Sequence, residues 1–211
     1  MPLPDFLLNG YKDWIDNTFA RKKNLFKKLS RGQNPKALVI SCCDSRVHAD
    51  KIFKADEGDF FIHRNIANII PKYKNSSKGN ETLAALEYGL GSLKIRNIII
   101  LGHSNCGGIN HALNLFSNKE EYKNQSLDNW IKNIKPAYKL IDKNKSGKEQ
   151  LNSLEKMNII NSISNLEKIP IVNKLNSKKQ LNIYGLWFEI KSGKIMILNR
   201  EKKIFENFSY L

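Results

Sequence analysis

Cysteine is scarce in this chain: 211 residues contain three, two of them adjacent. An odd number confined to two short stretches does not build a disulfide framework, and points instead to metal binding or catalysis in a reducing compartment. Acidic residues are also few, 20 against 35 Lys and Arg, for a formal charge of +15. Such a surplus attracts phosphate without specificity. Here the lysines are spread along the whole chain among Asn and Ile, with no recognition motif and no aromatic-basic platform. The expectation is a solvated basic surface that favours anionic substrates or products, with no nucleic acid as partner. No apolar run approaches the roughly 18 residues needed to cross a bilayer. The opening Met1-Pro2-Leu3-Pro4-Asp5-Phe6 lacks a basic stretch followed by an apolar one. A cytoplasmic protein with no membrane partner is therefore expected.

What is present fits one α/β domain, with 41% apolar residues and a length suited to a single core. Short continuous apolar runs, the mark of strands buried on both faces of a parallel sheet, occur at Ala37-Leu38-Val39-Ile40-Ser41, Phe60-Phe61-Ile62-His63 and Asn97-Ile98-Ile99-Ile100-Leu101. Asn80 to Leu93 places Leu83, Leu86, Leu90 and Leu93 at helical spacing, and Gly107-Gly108 opens a helix through Leu113 and Phe116. Alternating strand and helix predicts a mainly parallel central sheet flanked by helices, with its site beyond the carboxyl ends of the strands. A helical arm is expected over residues 1–30 and the α/β core over 36–200, within one domain spanning 1–211. Further helices are expected around Trp130 to Ile141 and from Leu151 to Ile169, the latter stopped by Pro170. Lys143 to Lys148 reads as a loop. Lys191-Ser192-Gly193, between Leu181–Ile190 and Lys194–Leu198, signals a C-terminal antiparallel hairpin.

The chemistry lies in Cys42-Cys43-Asp44-Ser45-Arg46 and His103-Ser104-Asn105-Cys106-Gly107-Gly108, each placed directly after a strand. Cys42, His103 and Cys106 supply two thiols and one imidazole, a set that suits catalytic zinc with its fourth position open. His103 and Cys106, three positions apart, can converge from one turn leading into a helix, whose amino end favours a Cys106 thiolate. Asp44 can point into the same cavity. Arg46 can fork two donors onto Asp44 and hold it ionised. Gly107 and Gly108 leave space and bare amides where an oxyanion would develop.

These stretches, with the Gly-x-x-Phe-x-x-Arg-Asn-x-Ala-Asn pattern from Gly58 to Asn68, make the chain resemble the β-class carbonic anhydrases. The likeness is detailed from Gln33 to Gly108 and looser elsewhere. It implies one Zn2+ per chain on Cys42, His103 and Cys106, with Asp44 and Arg46 as a catalytic dyad. It further implies attack of a zinc-bound hydroxide on CO2 to give bicarbonate and a proton. By spacing, Gln33, Phe61, Ile66 and Tyr88 match a plant-type substrate pocket, which the family builds on a dimer seam; a homodimer or higher homo-oligomer is thus implied, the amino-terminal helices packing over the partner.

The departures from the family also carry expectations. Val39 and Phe188 stand where a bacterial branch has the Trp and Tyr of a bicarbonate-inhibited site, so no such control is expected. Ser92 replaces a histidine proposed elsewhere as a proton relay, which leaves proton export to buffer. Cys43 is expected as a small buried residue, because its side chain alternates away from that of Cys42. His48, His63 and His111 read as ordinary polar histidines, and Arg64 and Asn65 as residues that hold backbone and interface together. Two rival readings are a carbonyl sulfide or carbon disulfide hydrolase on the same scaffold, and a noncatalytic zinc-binding interaction module.

Overall fold

The apolar runs form strands because neighbouring strands and helices can cover both of their faces. In a computed structural model of the chain, which describes residues 2–74, 80–117 and 125–208, β1 spans Ala37–Cys42, β2 Phe60–Asn65 and β3 Asn97–His103. Strands β4 (Asn182–Phe188), β5 (Ile195–Asn199) and β6 (Ile204–Asn207) complete a six-stranded sheet of order β2-β1-β3-β4-β5-β6. The β2-β1, β1-β3 and β3-β4 pairs are parallel, and β4-β5 and β5-β6 antiparallel. The expected architecture is thus present, including the C-terminal hairpin, whose turn places Gly193 at φ 70°. The sheet extends one strand beyond it, to β6.

Alternation along the strands separates two apolar layers. Leu38 and Ile40 on β1 lie opposite Ile98 and Ile100 on β3 and join the main core with Leu86, Ile159, Ile163 and Ile183. Val39 and Leu101 face the other side, with Val47, Leu186 and the partly buried Phe53 and Phe188. Each fully buried Ile or Leu contributes about 1.5–3 kcal/mol. Strand β2 is at the sheet edge and is accordingly only half-buried.

The helices of this unit are α3 (Ala49–Ile52), α4 (Glu81–Glu87), α5 (Gly107–Phe116), α6 (Gln125–Ile131), α7 (Lys135–Tyr138), α8 (Gly147–Leu166) and α9 (Pro170–Ser177), if the two arm helices are counted as α1 and α2. Helix α4 starts on an Asn80 cap and continues as a π turn over Tyr88–Ser92. The single helix expected around Trp130 to Ile141 is divided into α6, a 3-10 turn and α7. Two boundaries correct the sequence reading. Pro170 does not merely stop a helix; it opens α9 at the first helical position, where its missing N–H costs nothing. The loop ends at Ser146, whose side chain and that of Glu149 cap α8 reciprocally, so Gly147 and Lys148 are already helical.

Helix α8 lies close on the sheet because Gly102 and Gly185 carry no side chain. A Cβ on Gly102 would sit 2.7 Å from Ile159 Cδ1, and one on Gly185 3.0 Å from Ile159 Cγ2.

Residues up to Asn34 form a separate compact unit. It comprises α1 (Asp5–Asp13), a π-helical stretch Trp14–Phe19 and α2 (Ala20–Leu29), so the expected helical arm is present. Trp14, Phe19 and Phe26 cluster with ring centroids 5.2–5.5 Å apart. Phe6, Leu7, Leu8 and Tyr11 are exposed.

Candidate metal centre

Strand β1 turns outward to β2 on one side while β3 returns on the other, so the chain direction switches between β1 and β3, where α/β sheets leave a crevice. Cys42 is the last residue of β1 and His103 the last of β3. Strands β1 and β3 thus run one and two residues beyond the apolar runs that ended at Ser41 and Leu101, and each motif begins on the last residue of its strand. Cys106 immediately precedes α5. The ligand atoms of Cys42, His103 and Cys106 all lie within 4.8 Å of one another, and all three residues are buried. The sulfurs are 3.8 Å apart.

The donor set fits a divalent metal. His103 Nδ1 lies 3.0 Å from the Ser104 carbonyl oxygen, which can only accept, so Nδ1 donates and Nε2 keeps its lone pair. Nε2 is buried, and no hydrogen-bond partner faces it among the described residues. Such an atom is costly to bury unless something coordinates it. The hydrogen bond shared between the two sulfurs lowers the Cys42 pKa, against burial and with help from His103 and the Ala67 N–H. The same bond, with burial, pushes Cys106 upward. Burial works to lower His103, yet the Cys42 sulfur, the Ser104 carbonyl and the Asp44 carboxylate more than offset it and leave its pKa raised. A metal must displace protons from this set, so acid weakens its binding.

Asp44 follows β1 with Oδ2 3.7 Å from His103 Nε2. Arg46 grips it bidentately, Nε to Oδ1 at 2.9 Å and Nη2 to Oδ2 at 2.7 Å, and its backbone N–H adds a third bond at 3.0 Å. These bonds, the side-chain ones first, hold the Asp44 carboxyl well below the usual carboxylate range, so it remains an acceptor at any working pH. Arg46 Nη2 also donates to the Asn105 carbonyl, which ties the two motifs together. Arg64 on β2 donates to the carbonyls of Cys42, Asp44 and Val47, and the Asn65 side chain bonds both backbone groups of Ile69, so both hold backbone as expected. His48, His63 and His111 bond the Ser45 carbonyl, Thr82 and Asp128 respectively. Cys43 is exposed in this chain, not buried. Strand β1 ends at Cys42, so Cys43 already lies outside the sheet that would have covered it.

Gly108, the second residue of α5, packs against the Ile66–Asn68 turn: a Cβ there would meet Ile66 Cγ2 at 2.7 Å and Ala67 Cβ at 3.2 Å, whereas one on Gly107 would meet nothing within 4 Å. Ala67 stands at φ 63° with its N–H 3.4 Å from Cys42 Sγ. Gly108→Ala is accordingly expected to lose about 1–3 kcal/mol of stability by overpacking and to lose activity with it, since the displaced turn bonds a ligand. Thermal melting and rate measurement check this; an unchanged melting temperature with full activity contradicts it.

Ile66 is 39% exposed and its carbonyl accepts the Trp130 indole N–H at 2.9 Å. Phe61 and Tyr88 meet each other with ring centroids 5.8 Å apart, Phe61 against the main core and Tyr88 48% exposed. Gln33 belongs to the amino-terminal unit and is exposed.

Residues outside the motifs also serve the centre. Glu155 on α8 is buried, accepts the Cys106 N–H at 3.0 Å and the Trp187 indole N–H at 3.2 Å, and is pushed up to about 7 by burial. Trp130, Trp187 and Glu155 carry no local motif. The available signal was on α8, where Glu155, Asn158, Ser162 and Asn165 recur at helical spacing among apolar residues.

A family model described as carbonic anhydrase matches residues 37–195. A carbonic anhydrase of Emericella nidulans is 32% identical over 200 residues, covering 92% of this chain and 83% of the relative. Beta carbonic anhydrase 3 of Arabidopsis thaliana is 34% identical over 188 residues, covering 88% and 72%. Among solved structures, the β-carbonic anhydrase CcaA superposes with a TM-score of 0.89 at 30% identity, over 97% of this chain and 91% of that one. One of two tetrameric β-carbonic anhydrases from Sordaria macrospora does so with 0.79 at 29% identity, over 92% and 95%.

Proposed function

This chain belongs to the β-class carbonic anhydrases, carbonate dehydratases of the lyase class, and from that premise we propose that it hydrates CO2 reversibly at one Zn2+ held by Cys42, His103 and Cys106. The observation that carries the reading is the meeting of two sulfurs and a buried imidazole nitrogen within 4.8 Å, at the strand ends that flank the switch point. Zinc there supplies a Lewis acid that makes water nucleophilic near neutral pH, less strongly than at an all-histidine site because two thiolates offset its charge. Asp44, fixed by Arg46 and able only to accept, takes a hydrogen bond from the nucleophile and aims its lone pair. Gly107 offers an amide donor to the oxygen that gains charge, while the Gly108 N–H acts on the Cys106 sulfur. Phe61, Ile66 and Tyr88 supply the apolar walls of the CO2 pocket in this reading.

A homodimer or larger homo-oligomer is part of the same proposal: the Sordaria macrospora relative is tetrameric, and the amino-terminal unit carries exposed apolar side chains that a second copy can cover. Among the described residues no helix is long and apolar enough to cross a membrane. The three free cysteines suit the cytoplasm.

The test pairs elemental analysis with stopped-flow kinetics. One zinc per chain and rapid CO2 hydration, with no comparable sulfide release from carbonyl sulfide, are expected; the converse preference assigns the site to the sulfide reaction. The pH profile is a second check. Because thiolate ligation leaves water less acidic, activity rises with pH through and above neutrality, and a flat profile from about pH 6 to 9 contradicts the assigned ligands. Asp44 contributes no step in that range, its pKa lying far below it.

A further inference from the structure

Helix α8 carries four polar side chains on one buried face: Glu155, Asn158, Ser162 and Asn165. Apolar residues there would fill the core without any cost of desolvation. Instead each polar group bonds a loop at the carboxyl end of the sheet. Glu155 Oε1 accepts the Cys106 N–H at 3.0 Å and Asn158 Nδ2 donates to the Ala67 carbonyl at 2.9 Å. Ser162 donates to the Asn68 carbonyl and accepts from the Ile70 N–H, both at 3.2 Å, and Asn165 donates to the Ile70 carbonyl at 2.9 Å.

The first two bonds differ from the others in where they lead. Ala67 is held in the left-handed region at φ 63°, unfavourable for a residue with a Cβ, and in that conformation its N–H reaches Cys42 Sγ. The Asn158 bond fixes the carbonyl of the same residue. Cys106 has its amide held by Glu155, and its sulfur stands 3.8 Å from that of Cys42. We propose that Asn158 and Glu155, one turn apart on α8, are positioning residues for the metal centre: Asn158 keeps an N–H donor on the Cys42 sulfur, and Glu155 fixes the backbone from which the Cys106 sulfur projects. An N–H on sulfur stabilises the thiolate and draws charge from it, so it strengthens ligation against protons and tunes charge donation to the ion. The inference rests on the reading that this trio holds a divalent metal.

Cobalt(II) is the probe, because its thiolate charge-transfer band reports the sulfurs directly and its affinity can be measured by chelator competition without any assay of turnover. The wild-type protein is compared with Asn158→Leu and Asn165→Leu. Both variants remove one carboxamide donor from one buried carbonyl on the same helix, so both should lower the melting temperature. Only Asn158→Leu is expected to weaken cobalt binding, by roughly 10- to 100-fold, and to shift the charge-transfer band. Glu155→Gln, which sets an amide nitrogen against one of two N–H donors, should do the same, and carries the comparison alone if Asn158→Leu yields no folded protein. Equal weakening in Asn158→Leu and Asn165→Leu, or none in either Asn158→Leu or Glu155→Gln, overturns the positioning role. A wild-type protein that shows no thiolate band overturns the metal-centre reading itself, and the inference with it.

Discussion

His103→Ala is expected to leave a folded protein that retains little metal and hydrates CO2 no faster than the buffer does. The ring is buried, its Nδ1 is committed to the Ser104 carbonyl, and its Nε2 is turned toward the two sulfurs. The substitution therefore removes a donor that nothing nearby replaces. Since a bound zinc would lower the pKa of water by several units from about 15.7, the loss spans several orders of magnitude. Metal-to-protein ratio and stopped-flow rate, measured on the same sample, check it. Undiminished hydration by this variant, or by the wild-type protein under strong chelation, would show that the ligand trio is not the seat of the reaction.

Asp44→Ala is expected to separate metal from rate. Asp44 is outside the group of three whose atoms converge, with Oδ2 3.7 Å from His103 Nε2. The metal should stay while turnover falls by about 10²–10⁴-fold, the range for a positioned proton acceptor. Arg46→Lys should fall between Asp44→Ala and the wild type, because an ammonium cannot reproduce the two-point grip at 2.9 and 2.7 Å nor hold the Asn105 carbonyl at the same time. Asp44→Ala with full zinc and full activity would refute the role given to the carboxylate.

The parts of this molecule legible in its sequence are those where one local pattern settles the outcome. Leu38 to Ile40 and Ile98 to Ile100 announce strands because an unbroken apolar run needs cover on both faces. The metal trio is legible because sulfur and imidazole at those spacings suit few other tasks. Pro170 was misread because proline is compatible both with a helix end behind it and with a helix start at its own position, and only packing decides between them. The start of α8 was missed although Ser146 and Glu149 spell a capping box, since the surrounding lysines and asparagines look like loop. Strand β6 has little apolar pattern of its own and depends on β5 for its pairing. The supports of the site on α8 escaped for a different reason. Glu155 and Asn158 make sense only against Cys106 and Ala67, which are far away in the chain and meet them only in three dimensions.

The two sulfurs of the centre are separated by 64 positions, on segments that become neighbours only when β1 and β3 have paired. No short fragment can grip the ion. Occupancy by the proposed zinc would therefore be a certificate of finished folding, and free metal in the surroundings a thermodynamic reservoir that deepens the native basin.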